Sequence, residues 1–156
     1  MICLGTEGIN LSVIEKKVFI ELHTIIDDDG QMEYNTIKST GIYYQKGNID
    51  VLRFEETSED NAPVKNFITI QPDKVNIKRN GHIVMNQQFR MRQTTENVFR
   101  HPYGTMHMET TTNKITYQPL TEQDNGSLVM SYDVKINGQE ERQHKLTLTY
   151  NEEDVR

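Results

Sequence analysis

From Leu128 to Tyr150 the chain keeps a two-residue rhythm, and that rhythm constrains its fold more than any other feature. Leu128, Met130, Tyr132, Val134 and Ile136 fall at every second position. Ser127, Ser131, Asp133, Lys135 and Asn137 lie between them, with Val129 as the one apolar interruption. Successive side chains on a strand point to opposite faces, so this spacing makes one face apolar and the other wet. Asn137-Gly138 follows, a dipeptide suited to the positive φ angles of a tight hairpin turn. Leu146, Leu148 and Tyr150 then alternate with Lys145, Thr147 and Thr149. Two half-buried antiparallel strands result.

The same pattern recurs upstream. Val18, Ile20, Leu22 and Ile26 alternate before Asp27-Asp28-Asp29-Gly30, and a β-branched and aromatic run from Met32 to Gln45 ends at Lys46-Gly47-Asn48. Ile49 to Phe54 reads as a short strand, followed by an acidic loop from Glu55 to Pro63. Val64, Ile68 and Ile70 precede Pro72-Asp73, Val75 and Ile77 precede Asn80-Gly81, and Ile83, Met85, Phe89 and Met91 continue the series. About ten strands emerge, with no convincing amphipathic helical window. Short connections make sequential strands antiparallel neighbours, because a parallel crossover needs a dozen or more residues. A long meander leaves exposed edges unless it closes on itself. The expected fold is therefore all-β, a single closed antiparallel meander barrel of eight to ten strands. A two-sheet sandwich is the second choice.

The succession KRNG, MNQQFRMRQ, HPYGTMHMET, GSLVMSYDVKINGQ and LTLTY resembles the YwiB-like proteins, a bacterial family of unknown function. The resemblance runs from about Lys17 to Glu153. It implies a closed, calycin-like or lipocalin-like barrel in a cytoplasmic protein, and it brings no catalytic residues with it.

Composition narrows the function. At 156 residues the chain suits one domain, expected over residues 16–156 behind an N-terminal arm of residues 1–15 that fits the strand pattern poorly. The start lacks the basic n-region of a secretory signal, and no stretch has the ~20 apolar residues of a membrane helix. The lone cysteine, Cys3, has no internal partner, which fits a reducing cytoplasm. A net charge of −6 disfavours generic nucleic-acid binding.

Candidate chemistry is sparse. His101, His107 and Glu109 surround the Pro102-Tyr103-Gly104 bend. With the bend centred on Tyr103, Val98 faces Met108 and Arg100 faces Met106. The apolar Val98, Met106 and Met108 are then expected in the core, and the two histidines point outward beside Glu109. Zinc needs three or four converging ligands, so solvated side chains beside a turn are the favoured reading and no metal site is expected. The run from Asp27 to Glu33 lacks the alternate acids of a calcium loop. No nucleophile elbow, phosphate-binding glycine loop or cysteine pair is present. No catalytic residue and no cofactor is therefore assigned, and the balance leans away from an enzyme.

Two sets of residues carry the binding hypotheses. Arg142 and His144 share parity with Leu146, Leu148 and Tyr150, and Tyr132 on the preceding strand faces the same interior. An inward arginine among phenols can grip a carboxylate, and a barrel of this size can hold one small ligand. The competing reading, favoured because parity near a turn is weak, leaves Arg142 in water at a frayed strand start. The second set is an outward basic patch of Arg90, Arg92 and Arg100, with Lys78 nearby, which ordinary surface also explains. Candidate partners are thus a small, partly apolar or anionic ligand in the barrel, or a protein or second copy on the outer wall. Val129 and Phe99, placed on outer faces, point to such a contact.

Overall fold

The computed structural model describes residues 14–58 and 61–153. Most of the arm expected at residues 1–15, Cys3 included, lies outside them. Ten strands follow one another: β1 (Lys16–Asp28), β2 (Gln31–Lys46), β3 (Ile49–Ser58), β4 (Asn61–Gln71), β5 (Lys74–Asn80), β6 (Val84–Arg90), β7 (Thr94–His101), β8 (Gly104–Gln118), β9 (Gly126–Ile136) and β10 (Arg142–Glu152). Each pairs antiparallel with its successor, and β10 returns to β1, so the sheet closes into a barrel as the meander required.

Closure is set by the pairing of β1 with β10, which runs from Val18 opposite Glu152 to Asp27 opposite Gln143. The turns obey their local chemistry. Asp29 and Gly30 both take positive φ between β1 and β2, and the Gly30 N–H donates to Asp27 Oδ1 at 2.8 Å. Asn137 and Gly138 do the same between β9 and β10, with φ of 53° and 69°.

The alternation decides what lies inside. Val18, Ile20, Leu52, Ile68, Ile70, Val75, Phe89, Leu128, Met130, Leu148 and Tyr150 are essentially inaccessible and form one continuous core. Complete burial of each aliphatic side chain stabilises by roughly 1.5–3 kcal/mol, and this offsets much of the entropy of ordering the strands. The waist of the barrel is filled with side chains. Polar residues dominate the outer face, the reverse of a transmembrane barrel. Among the described residues no helix is long and apolar enough to cross a membrane.

Two local expectations change. The acidic stretch after Phe54 is not all loop: β3 continues to Ser58, with a register shift between Glu56 and Ser58. The bend at Pro102 is also one residue tighter than expected. Val98 faces His107, Phe99 faces Met106 and His101 faces Gly104, so Pro102 and Tyr103 alone make the turn. A one-residue slip reverses every side chain of a strand. Phe99 therefore packs inward beside the core, while Val98 is 53% exposed.

Candidate functional site

The barrel has two differently finished ends. At the terminal mouth, where β1 begins, β10 ends and the turns after β2, β4, β6 and β8 gather, a polar network seals the interior. Tyr117 donates from its hydroxyl to Asp50 Oδ2 at 2.5 Å, and Gln45 Nε2 donates to Asp50 Oδ1 at 2.9 Å. The Tyr150 hydroxyl meets that of Tyr117, and the Tyr43 ring lies 5.3 Å from the Tyr150 ring. Gly126 makes this possible, since a Cβ there would fall 2.1 Å from Tyr150 Cζ. Burial is the first cause that raises the pKa of all three phenols, with Tyr150 pushed up to about 12. Neutral phenols around a carboxylate that is 6% exposed tie β2, β3, β8 and β10 together.

The distal mouth, ringed by the turns after β1, β3, β5, β7 and β9, is unevenly closed. On one side Arg79 holds Glu56 with both prongs, Nη2 lying 2.8 Å from Oε1 and 3.0 Å from Oε2. Asn66 Nδ2 adds a third donor to Oε1 at 2.8 Å. On the other side lies an open cup of about 530 Å³. Ile26, Met106, Val134 and Ile136 give it apolar walls, His144, Arg142 and Gln139 contribute nitrogen groups, and Asp28 and Glu140 add carboxylates. The His144 imidazole stacks on Tyr132 with centroids 5.1 Å apart, and Tyr132 meets Phe89 edge-on at 4.7 Å. Burial foremost, then the Arg142 charge, lowers the His144 pKa to about 4, although Asp133 opposes the shift. The imidazole is therefore neutral at pH 7, able to donate from one nitrogen and accept at the other.

The four interior candidates do not converge. His144 lines the cup with Tyr132 stacked behind it, whereas Tyr150 belongs to the opposite mouth, opposite Gly126 on β9. Arg142 stands at the rim with Nε 3.5 Å from Asp28 Oδ1, and both side chains are about half exposed. The outer basic set also divides. Arg90 faces Lys74 at the terminal mouth, and Arg92 occupies the β6–β7 turn with φ 58°. Arg100 pairs with Val84 near the distal mouth.

His101 and His107 take opposite faces. The His107 ring pairs with Glu96 at 2.8 Å on the outer surface, and His101 stacks on Tyr103 and accepts its N–H at 3.2 Å. Among the described residues no group of three metal-ligating side chains converges. Sequence reasoning gave Asp50 and Tyr117 no role, read Glu56 as part of a solvated loop, and counted Arg79 only within a basic band. Strand parity was the available signal, since Asp50, Leu52, Phe54 and Glu56 alternate on one face, and Arg79 continues Val75 and Ile77.

Comparison with known proteins agrees with this architecture. The chain is 28% identical over 136 residues to a protein described as uncharacterized beta-barrel protein YwiB from Bacillus subtilis (strain 168), with 87% of this chain and 94% of that one covered. The crystal structure of the ywiB protein from Bacillus subtilis superposes with a TM-score of 0.80 at 25% identity, over 93% of this chain and 98% of that one. A domain of unknown function, DUF1934, matches residues 20–148. The chain thus belongs to the DUF1934 family of uncharacterised β-barrel proteins.

Proposed function

We propose that the protein is a non-enzymatic binder that takes one small, partly apolar molecule bearing an anionic or hydrogen-bonding end into the distal cup. The supporting observation is the pairing of four apolar walls with a neutral, half-sheltered His144 in one recess of about 530 Å³. That volume lies in the range of small-ligand sites, and such sites combine apolar lining with few polar groups. Arg142 serves the ligand's anionic end by releasing Asp28, a weak exposed pair that costs little to break. The calycin-like resemblance adds an analogy of fold, which by itself does not decide function. A single cysteine in the chain suits a reducing, cytoplasmic setting.

Titration with the fluorescent anion 8-anilinonaphthalene-1-sulfonate tests the reading. Saturable binding is expected to weaken at least about tenfold in Met106→Glu, which puts a charge into the apolar wall. Binding that ignores this substitution counts against the cup.

A second reading, a protein-interaction module acting through the outer wall, draws support from the filled waist. It would use the groove of about 490 Å³ across β2–β5, where Ile42 and Phe67 lie beside Lys65 and Lys78. Native mass spectrometry of protein purified gently from its own host separates the two. A retained small molecule favours the cup, and a stoichiometric protein chain or second copy favours the wall.

A further inference from the structure

Every neighbouring pair of strands in the barrel is joined by a run of paired residues except one. Between β6 and β7 the pairing reduces to Val84 with Arg100. A side chain stands in for the missing ladder, as the Thr95 hydroxyl donates to the Gln88 carbonyl at 2.6 Å. Strand β7 is also the one strand among those with a complete burial description that buries none of its residues. Its inward positions include two polar side chains, Thr95 and Asn97.

The interior behind this seam is polar. Counting on from Val84–Arg100 sets Gln87 opposite Asn97, both on inward faces. Gln87 Nε2 reaches past β7 to donate to Thr110 Oγ1 on β8 at 2.9 Å. Asn97 Oδ1 is buried with no partner among the described residues. The β6–β7 turn is tied to β8 as well, where the Arg92 N–H donates to the Thr112 carbonyl at 2.8 Å and the Thr112 N–H donates to the Gln93 carbonyl at 3.1 Å. Strand β8 is itself pinned to the β9–β10 turn, since the Asn137 N–H donates to the His107 carbonyl at 2.7 Å and the His107 N–H to Asn137 Oδ1 at 2.8 Å. The Gln87–Thr110 bond and the anchored turn thus join β6 to β8 behind β7.

We propose that the β6–β7 seam is a side entrance to the barrel interior. Strand β7 swings away from β6, opening its ladder with β8 along Met108 to Thr112, and admits water and molecules of similar size to the Gln87–Thr110 pair and Asn97. Elements with few buried contacts and few ladder bonds open locally far below the cost of global unfolding. The entrance is independent of what occupies the distal cup.

Residue-resolved amide exchange in heavy water is the test. The amides of Met108, Thr110 and Thr112, which face β7, are expected to exchange about 100-fold faster than those of Met130 and Leu148, which sit in fully paired strands. Asn86→Cys with Val98→Cys, in a Cys3→Ser background, places a disulfide across the outer side of the seam. Oxidation is expected to slow exchange at these three amides at least about tenfold, and reduction to restore it. Thr95→Val, which removes the surrogate hydrogen bond, is expected to speed exchange there several-fold and leave β9 and β10 unchanged. Exchange at these amides as slow as in β9 and β10, no response to an intact disulfide, or no response to Thr95→Val overturns the proposal.

Discussion

Two arginines face two carboxylates across the distal mouth, and the pairs behave oppositely. Arg79 grips Glu56 bidentately, Asn66 completes the carboxylate's bonding, and the two side chains are only 24% and 19% exposed. Arg142 and Asp28 share one 3.5 Å contact at nearly half exposure. Both arginines have inward parity, so parity did not separate them. Burial and bond geometry did: a sheltered fork closes one side of the mouth, and a loose ion pair leaves the other open over an apolar recess.

Arg79→Leu should break that contrast most severely. It leaves the Glu56 carboxylate sheltered without its cation, and a stability loss of about 3 kcal/mol in urea unfolding is expected. A loss under about 1 kcal/mol would mean that water already reaches Glu56 as freely as Asp28.

Acid sharpens the comparison next. His144 titrates near 6.5 when unfolded and near 4 when folded. The unfolded chain therefore binds the proton first, and stability present above pH 6.5 is lost as pH falls toward 4. Between pH 7 and pH 4.5 the parent protein is expected to lose about 2 kcal/mol more than His144→Gln. Equal losses in the two proteins would place His144 in water rather than against Tyr132.

Tyr117→Phe probes the sealed terminal mouth, where it deprives buried Asp50 of a donor. About 1.5 kcal/mol of stability should go, with no effect on dye binding at the opposite end. The smallest change belongs to Arg142→Ala, with at most about 0.5 kcal/mol in stability. In that variant weakened binding of the anionic dye is the informative readout.

Much of the wall could be read from residue order. Ten strands, their antiparallel succession and most inward faces follow from alternation and from Asp29-Gly30 and Asn137-Gly138 turns. The reading slipped where alternation gave no unique register. Pro102-Tyr103-Gly104 accommodates a turn centred on Tyr103 or one between Pro102 and Tyr103, and the choice reverses Val98 and Phe99. The candidate site was half legible. Tyr132 and His144 meet as expected because they pair directly across β9 and β10, but grouping Tyr150 with them ignored distance along the strand. Six residues separate His144 from Tyr150, about 20 Å of extended chain.

The sequence by itself determined a closed sheet with an apolar interior, because two-residue periodicity and glycine-bearing turns act through neighbouring residues alone. Only the tertiary structure decided that the waist is full, that one mouth is sealed by Asp50 and Tyr117, and that the β6–β7 seam is nearly unpaired. Those outcomes depend on which side chains meet across the barrel, between strands as much as 67 positions apart in the case of Asp50 and Tyr117. A local pattern carries no record of such meetings, since it specifies the face a side chain takes and not the partner it finds there.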